Sequence, residues 1–153
     1  MSATTPANMR TVNPYLLVEQ AAEVIQFIET VLGGTTRMRM DRPDGSLGHA
    51  EIEVGDALLM LGSPTEPFGP QPASLFVYVE DSDAAHAAAV AFGCSSEMAP
   101  MTMPHAGVRY GAARDAGGNL WWIAQHLEDV TPEEEQRRVD EHGLPEVPRE
   151  GDT

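Results

Sequence analysis

An internal repeat is the feature that most constrains this chain of 153 residues. The stretch VLGGTTRM (31–38) is followed sixty residues later by AFGCSSEM (91–98). Each has a glycine, a small residue, two hydroxyl residues, a charge and a methionine at the end of a predicted helix. VGDALLML and ARDAGGNLWWI also match, each with an aspartate turn before a strand. A repeat of this length predicts two copies of one structural unit.

The first copy is predicted to be a βαβββ unit. Alternation of apolar and polar residues is typical of a half-buried strand, whereas apolar residues at every third or fourth position are typical of a helix. The predicted strands are VNPYLLVE, TTRMRMD, HAEIEVGD and DALLMLGS. The predicted helix lies in EQAAEVIQFIETVLGG, with apolar positions at Ala22, Ile25, Ile28 (or Phe27) and Leu32 and an end at Gly33 and Gly34.

The second copy repeats this order after a proline-rich linker. SLFVYVE predicts a strand, and DSDAAHAAAVAFG predicts a helix whose N-cap is Asp81 or Ser82. The strands CSSEMAP, VRYGAARD and NLWWIAQH complete the unit. Behind it, Thr131, Pro132 and Glu134 have the spacing of a capping box at the start of a third helix.

These elements predict an α+β chain in which two βαβββ units are paired. The predicted divisions are a flexible N-terminus (1–10), a first unit (11–62), a linker (63–72), a second unit (73–127) and an acidic C-terminal helix and tail (128–153). The end of that tail, 144–153, is predicted to be disordered.

Charge narrows the possible functions. The chain has 24 acidic and 9 basic residues, for a net charge of −15, and every basic residue is arginine. The absence of lysine excludes Schiff-base chemistry on a lysine side chain. The shortage of basic surface argues against nucleic-acid binding, and the acidic balance favours cationic ligands over anionic ones. The alternative is that the charge only maintains solubility.

The apolar segments and the cysteine count indicate the cellular compartment of the protein. The sequence holds no long apolar run, and MSATTPANMR has no apolar core of signal-peptide length. The single cysteine, Cys94, has no second cysteine in the chain for a disulfide, which fits a reducing compartment. We therefore expect a cytoplasmic protein without membrane contact.

Alternation also assigns the faces of the predicted sheets. In the last strand, Trp121 faces the helix and Trp122 faces the opposite way. The face that bears Trp122 is expected to be amphipathic. If the two units curl these faces toward each other, they form a half-open barrel with a cavity for a small molecule. The alternative is that side chains of the barrel fill the cavity. The residues assigned to this face are Asn13, Tyr15, Met60, Ser74, Phe76, Tyr78 and Trp122.

Several segments of the chain resemble those of a known family. Paired βαβββ units, NPYLLV, RPDGSLGHAEIEVGDALLML and RDAGGNLWWIAQHLEDVTPEE are similar to the vicinal oxygen chelate superfamily, and most closely to its PhnB-like branch. That superfamily contains glyoxalase I, extradiol dioxygenases and bleomycin-resistance proteins. The resemblance implies the half-open barrel described above, and it implies a homodimer.

The resemblance also implies where a metal would be bound. Metal enzymes of the superfamily use His or Glu on the first and last strands of each unit. The matching positions here are Asn13, Met60, Ser74 and Trp122, and none of them is His, Glu, Asp or Cys. A metal site needs three or four such ligands. We therefore predict no metal and no cofactor at this place.

Other polar residues remain candidates for chemistry or binding. His49 and Glu51 lie two residues apart on one strand face, although Glu51 is predicted to pair with Arg37 or Arg39 across the hairpin. His105 lies in MTMPHAGVRY, read as a methionine-rich loop over the cavity, or as an exposed loop. The candidates for a general acid or base are His105, Tyr110, His49 and Glu51; His49, Glu51, His105 and His126 are the other possible metal ligands.

Two functions follow, and the first is favoured. It is a metal-independent binding protein that sequesters an aromatic, neutral or cationic compound such as an antibiotic. The alternative is a metal-independent isomerase or lyase that transfers a proton. A metal-dependent glyoxalase or dioxygenase is the least favoured. The predicted ligand-binding residues are Asn13, Tyr15, His49, Glu51, Met60, Ser74, Phe76, Tyr78, Met103, His105, Tyr110 and Trp122.

Overall fold

Two open four-stranded sheets and three helices are found in residues 4–148, the part of the chain that the computed structural model describes. The α+β class is therefore confirmed. Part of the flexibility and disorder predicted for the two termini concerns residues 1–3 and 149–153, which lie outside the described residues. In chain order the elements are β1 (Tyr15–Leu17), α1 (Ala21–Val31), β2 (Thr35–Asp41), β3 (Leu47–Val54), β4 (Ala57–Gly62), β5 (Ser74–Tyr78), α2 (Ser82–Phe92), β6 (Ser95–Met103), β7 (Val108–Arg114), β8 (Leu120–His126) and α3 (Pro132–His142).

The two sheets have the same topology. The strand order is β1-β4-β3-β2 in one sheet and β5-β8-β7-β6 in the other. The first and last strands of each unit, β1 with β4 and β5 with β8, pair in parallel, and the other neighbours are antiparallel. This equivalence confirms the two βαβββ units that the repeat predicts.

Residue contacts divide the chain into two units. The first ends at Ala73 and also takes in Ala116–Asn119, while the second comprises Ser74–Asp115 and the residues from Leu120 onward. Asn119 is fully buried, and its Oδ1 accepts a hydrogen bond of 2.9 Å from the backbone N–H of Ala73. This bond fixes the turn before β8 to the segment that leads into β5.

Helix α1 covers one face of the first sheet, where its neighbours are β2 and β3. Ala22, one of the apolar residues at helical spacing, is exposed, and the buried stripe includes Ala21 instead. The buried residues are Ala21, Val24, Ile25, Phe27 and Ile28 on the helix and Ala50, Ile52, Leu59 and Leu61 on the sheet.

Helix α2 lies across β6, β7 and β8 of the second sheet. Its N-cap is Asp81, whose Oδ1 accepts from the backbone N–H of Ala84 at 3.0 Å, while Ser82 is fully buried. Gly111 on β7 allows the close approach of His86, because a Cβ there would lie 3.0 Å from the imidazole Cδ2.

Two predictions at the C-terminal side of the second unit need correction. Strand β6 continues to Met103, so the methionines of the predicted loop belong to a strand and only residues 104–107 form the turn. At α3, Thr131 Oγ1 accepts from the N–H of Glu134 at 3.2 Å, as a cap should. The Glu134 carboxylate, however, bonds Arg137 and Arg138 on the same helix.

In residues 4–148, no helix has the length and apolar character to cross a membrane.

Gly117 offers a test of packing in the first unit. An added Cβ would lie 2.9 Å from both Val18 Cβ and Val24 Cγ2, closer than van der Waals contact allows. We expect Gly117→Ala to lower the free energy of unfolding by about 1–3 kcal/mol in urea denaturation, because overpacking displaces buried groups. Gly118→Asn is the matched control, since an added Cβ at Gly118 would make ordinary contacts with Pro72 at 3.8 and 4.0 Å, and Asn tolerates its φ of +86°. Equal stability of Gly117→Ala and the wild type would contradict this packing.

Candidate functional site

Four aromatic rings form a continuous cluster on the second sheet, on the face opposite α2. Phe76 on β5 lies 5.4 Å from Tyr78 and 5.5 Å from Tyr110, measured between ring centroids. Tyr110 on β7 lies 5.9 Å from Trp122 on β8. All three contacts are edge-to-face, the favourable geometry for aromatic quadrupoles. Ala124, fully buried, is the strand partner of both Tyr78 and Tyr110 and leaves room for the rings.

Two of the four rings in this aromatic cluster are exposed to solvent. Phe76 is 49% and Tyr78 is 62% exposed, whereas Tyr110 and Trp122 are half-buried. Large apolar side chains are unfavourable in water unless something covers them. The face therefore presents exposed aromatic rings against which a planar ligand can stack.

The two tryptophans of β8 have different roles, as the alternation predicts. Trp121 is 2% exposed and donates from Nε1 to Asp115 Oδ2 at 2.7 Å in the core. Trp122 lies on the aromatic face and donates from Nε1 to Ser74 Oγ at 3.0 Å. The bond to Ser74 fixes the plane of the Trp122 indole beside Phe76, its parallel strand partner.

The other half of the same face is filled by protein side chains. A buried cluster on β6 and β7 packs against Tyr110 and Trp122. Met103, predicted as a ligand-binding residue, is 2% exposed and belongs to this cluster, and its contact with a ligand stays a prediction. Its predicted place in a loop is wrong, because Met103 ends strand β6. The buried members are Met98, Met103, Val108 and Ala112.

The first unit carries a polar cluster on the face of its sheet opposite α1. His49 Nε2 lies 3.5 Å from Glu51 Oε1, and the Tyr15 ring lies edge-on to His49 at 5.8 Å. The side chain of His49 is 23% exposed, and that of Glu51 is 12% exposed. The predicted pairing of Glu51 with Arg37 or Arg39 is wrong. Arg37 contacts Glu53 at 3.2 Å, and Arg39 contacts Asp41 at 3.1 Å.

The residues at the four family metal positions do not fit a divalent metal. Ser74 and Trp122 bond each other, and the Asn13 amide bonds the backbone of Arg10 in both directions, at 2.6 and 3.0 Å. Met60 supplies a thioether, a poor ligand for hard and borderline cations. Among residues 4–148, no three His, Cys, Asp or Glu side chains are grouped to hold an ion. His126, an alternative candidate, is exposed and lies 2.9 Å from Asp129.

His105 lies in the turn between β6 and β7. It is half-buried with a fully buried Nδ1, and it lines a cleft of about 440 Å³ beside α3. Arg138 Nη1 ties α3 to this turn by donating to the carbonyl of Pro104 at 2.7 Å. Hydrogen bonds from Arg137 and Arg138 hold the pKa of Glu134 at about 2. The other residues of the cleft are Pro104, His142, Gly143 and Pro145.

Sequence reasoning missed the small residues that shape both faces. Ala124 leaves room for the aromatic rings, and Gly62 leaves room for Tyr15, whose Oη would lie 3.3 Å from an added Cβ. A small residue within a strand of larger ones indicates that another group approaches closely, so these positions could have been noticed in the sequence. Which group approaches depends on the register of neighbouring strands, which periodicity does not reveal.

Cys94 is not suited to act as a nucleophile. It follows α2 and is 7% exposed. Burial, with a smaller effect from the Asp115 carboxylate, raises the pKa of the Cys94 thiol to about 11. Because the thiolate is the reactive form, this environment suppresses reaction.

Alkylation of Cys94 tests this environment without ambiguity, since the chain has one cysteine. At pH 8, we expect iodoacetamide to react with the native protein about 100-fold more slowly than with the urea-unfolded protein, because two pKa units lower the thiolate fraction about that much. The contribution of Cys94 to stability is complete below its unfolded pKa and is lost as pH rises from about 9 through about 11. Equal alkylation rates at pH 8 would contradict the assignment.

Comparison with known proteins agrees with this geometry. A family profile described as the Glyoxalase/Bleomycin resistance protein/Dioxygenase superfamily matches residues 10–123. An uncharacterized protein of Mycobacterium tuberculosis is 27% identical over an alignment of 143 residues, with 86% of this chain and 83% of that protein covered.

Solved structures show the same fold. TioX from Micromonospora sp. ML1 has 22% identity and a TM-score of 0.60, with 80% of this chain and 100% of TioX covered. The Bacillus cereus PhnB protein has 17% identity and a TM-score of 0.60, with 76% and 99% covered. TnmS3 from Streptomyces sp. CB03234, an antibiotic binding protein, has 17% identity and a TM-score of 0.59, with 82% and 99% covered. At these identities the similarity extends to the fold alone.

Proposed function

The chain belongs to the Glyoxalase/Bleomycin resistance protein/Dioxygenase superfamily, and we propose that it is a metal-independent binding protein. Its ligand is an aromatic small molecule, neutral or cationic, such as an antibiotic, which the protein sequesters without changing it. The observation that carries this proposal is the half-exposed aromatic cluster of Phe76, Tyr78, Tyr110 and Trp122 on the second unit.

Stacking on this cluster supplies the affinity. A planar ligand that covers Phe76 and Tyr78 removes apolar surface from water at roughly 25 cal/mol per Å². The rings are already held by their mutual contacts and by the Trp122–Ser74 hydrogen bond, so little side-chain entropy is lost when the ligand binds. TnmS3, a structure of the same fold, is described as an antibiotic binding protein, which supports a ligand of this class.

The residues at the metal positions support binding rather than metal chemistry. Trp122 places an indole where the family resemblance puts a metal ligand, and its hydrogen bond engages Ser74, the second such position of this unit. The homodimer and the cytoplasmic location stay predictions, as does the assignment of Asn13, Met60 and His105 to the ligand site.

A thermal-shift screen of aromatic antibiotics and aromatic metabolites tests the proposal. A ligand at one hundred times its dissociation constant stabilises the folded state by about 2.7 kcal/mol. We expect Trp122→Ala to weaken binding of the hits about 10-fold or more, because stacking adds about 0.5–1.5 kcal/mol to the area term that is also lost. Trp122→Phe should retain part of the affinity.

Phe68→Ala is the matched control, because Phe68 is 68% exposed but lies in the linker, outside the aromatic cluster. It should leave the affinity unchanged. The proposal is overturned if no compound stabilises the protein, or if Trp122→Ala and Phe68→Ala bind the hits equally well.

A second candidate function is metal-independent proton transfer. The observation that favours it is the His49–Glu51 pair, an imidazole beside a carboxylate with the Tyr15 ring edge-on. Chromatography of each hit after long incubation with excess protein separates the two functions. Sequestration requires that the ligand is recovered unchanged, whereas proton transfer requires an isomerised or eliminated product that His49→Gln abolishes.

A further inference from the structure

The first unit holds a carboxylate that is largely removed from water and weakly paired. Glu51 lies within β3 with its side chain 12% exposed, and among residues 4–148 its ion-pair contact is His49 at 3.5 Å. That separation exceeds the usual 2.7–3.2 Å of an N–H···O hydrogen bond. Burial of a carboxylate costs free energy unless a cation or several donors compensate. Glu51 therefore has capacity for a further cation.

The neighbouring arginines do not supply that cation. Arg37 on β2 is engaged with Glu53, and Arg39 is engaged with Asp41 at the end of the same strand. A net charge of −15 adds a background potential that attracts cations. The electrostatics of this face thus favour a positively charged ligand.

Thioether and aromatic side chains lie beside Glu51 in the register of the first sheet. Met38 on β2 and Met60 on β4 are its strand partners on either side. Tyr15 on β1 is the partner of Met60 and is 48% exposed. Methionine side chains adapt to irregular apolar groups, and a tyrosine ring attracts a cation.

We propose that this cluster of Glu51, His49, Tyr15, Met38 and Met60 binds the ammonium group of an organic amine. The ammonium donates to the Glu51 carboxylate, and its apolar substituent contacts the two thioethers and the Tyr15 ring. The inference rests on the proposed function for the view that the ligand is a small molecule, and it adds that the ligand is an amine.

An inorganic cation fits this cluster less well. Calcium prefers six to eight oxygen ligands, and zinc requires three or four nitrogen, sulfur or oxygen ligands from the protein. Here one carboxylate and one imidazole are available, flanked by thioethers. An organic ammonium needs a single carboxylate and an apolar wall, which is what the cluster provides.

Methyl-¹³C labelling of methionine gives a direct test, because Met38 and Met60 flank Glu51. The probes are 2-phenylethylammonium and its uncharged analogue 2-phenylethanol, titrated at pH 7.5. We expect the Met38 and Met60 methyl signals, assigned with Met38→Leu and Met60→Leu, to shift saturably with the ammonium probe and to show affinity about 10-fold or more above that for the alcohol. Met98 and Met103, which pack against Tyr110 and Trp122, report separately on any binding of either probe to the aromatic cluster of the second unit.

Two variants locate the charge that is responsible. Glu51→Gln should reduce affinity for the ammonium probe to that for the alcohol. Glu53→Gln is the matched control on the same strand, since Glu53 is already engaged with Arg37, and it should retain the wild-type affinity. In the absence of a probe, Met98 and Met103 signals at their wild-type positions verify that each variant is folded.

The inference is overturned if the alcohol binds as well as the amine, if neither probe moves the two methyl signals, or if Glu51→Gln binds like the wild type. If Glu51→Gln does not fold, the comparison of the two probes on the wild type still decides. Failure here is distinguishable from failure of the proposed function, because that function is tested on Trp122 in the second unit.

Discussion

The two-residue period of strand β8 is the constraint on which the second unit depends. Because successive side chains point to opposite faces, adjacent tryptophans serve two separate environments. Trp121 extends into the core and bonds Asp115, whereas Trp122 bonds Ser74 and joins the exposed rings. A shift of register by one residue would exchange core and surface throughout the strand.

The same constraint limits what the strand positions opposite the helices can carry. A strand position that faces away from the helix can carry a metal ligand or an indole, and a neutral indole has no lone pair for a metal. Trp122 and Ser74 satisfy each other, and Asn13 is engaged with the backbone of Arg10. Fold and function are therefore separable, as expected for a scaffold that supports many activities.

Local patterns predicted the elements well, since they depend on nearby residues. TTRMRMD corresponds to β2 at both ends, and Trp121 and Trp122 lie on the predicted faces. Predictions that depend on which strands are neighbours were less successful. Glu51 lacks the predicted arginine partner because Arg37 contacts Glu53 instead. The pairing of β2 with β3 shifts register between Thr36 and Met38, at the position of Arg37. Met103 was misassigned because the length of β6 is determined by its pairing with β7, which periodicity does not reveal.

We propose that the exposed aromatic face of the second unit binds the ligand while the core tryptophan does not take part. The most direct measurement is an NMR titration of ¹⁵N-indole-labelled protein with a hit from the thermal-shift screen, since the chain has two tryptophans and therefore two indole signals. We expect the Trp122 signal to shift to saturation while the Trp121 signal stays in place. A stationary Trp122 signal at saturating ligand, or equal shifts of both signals, would contradict it.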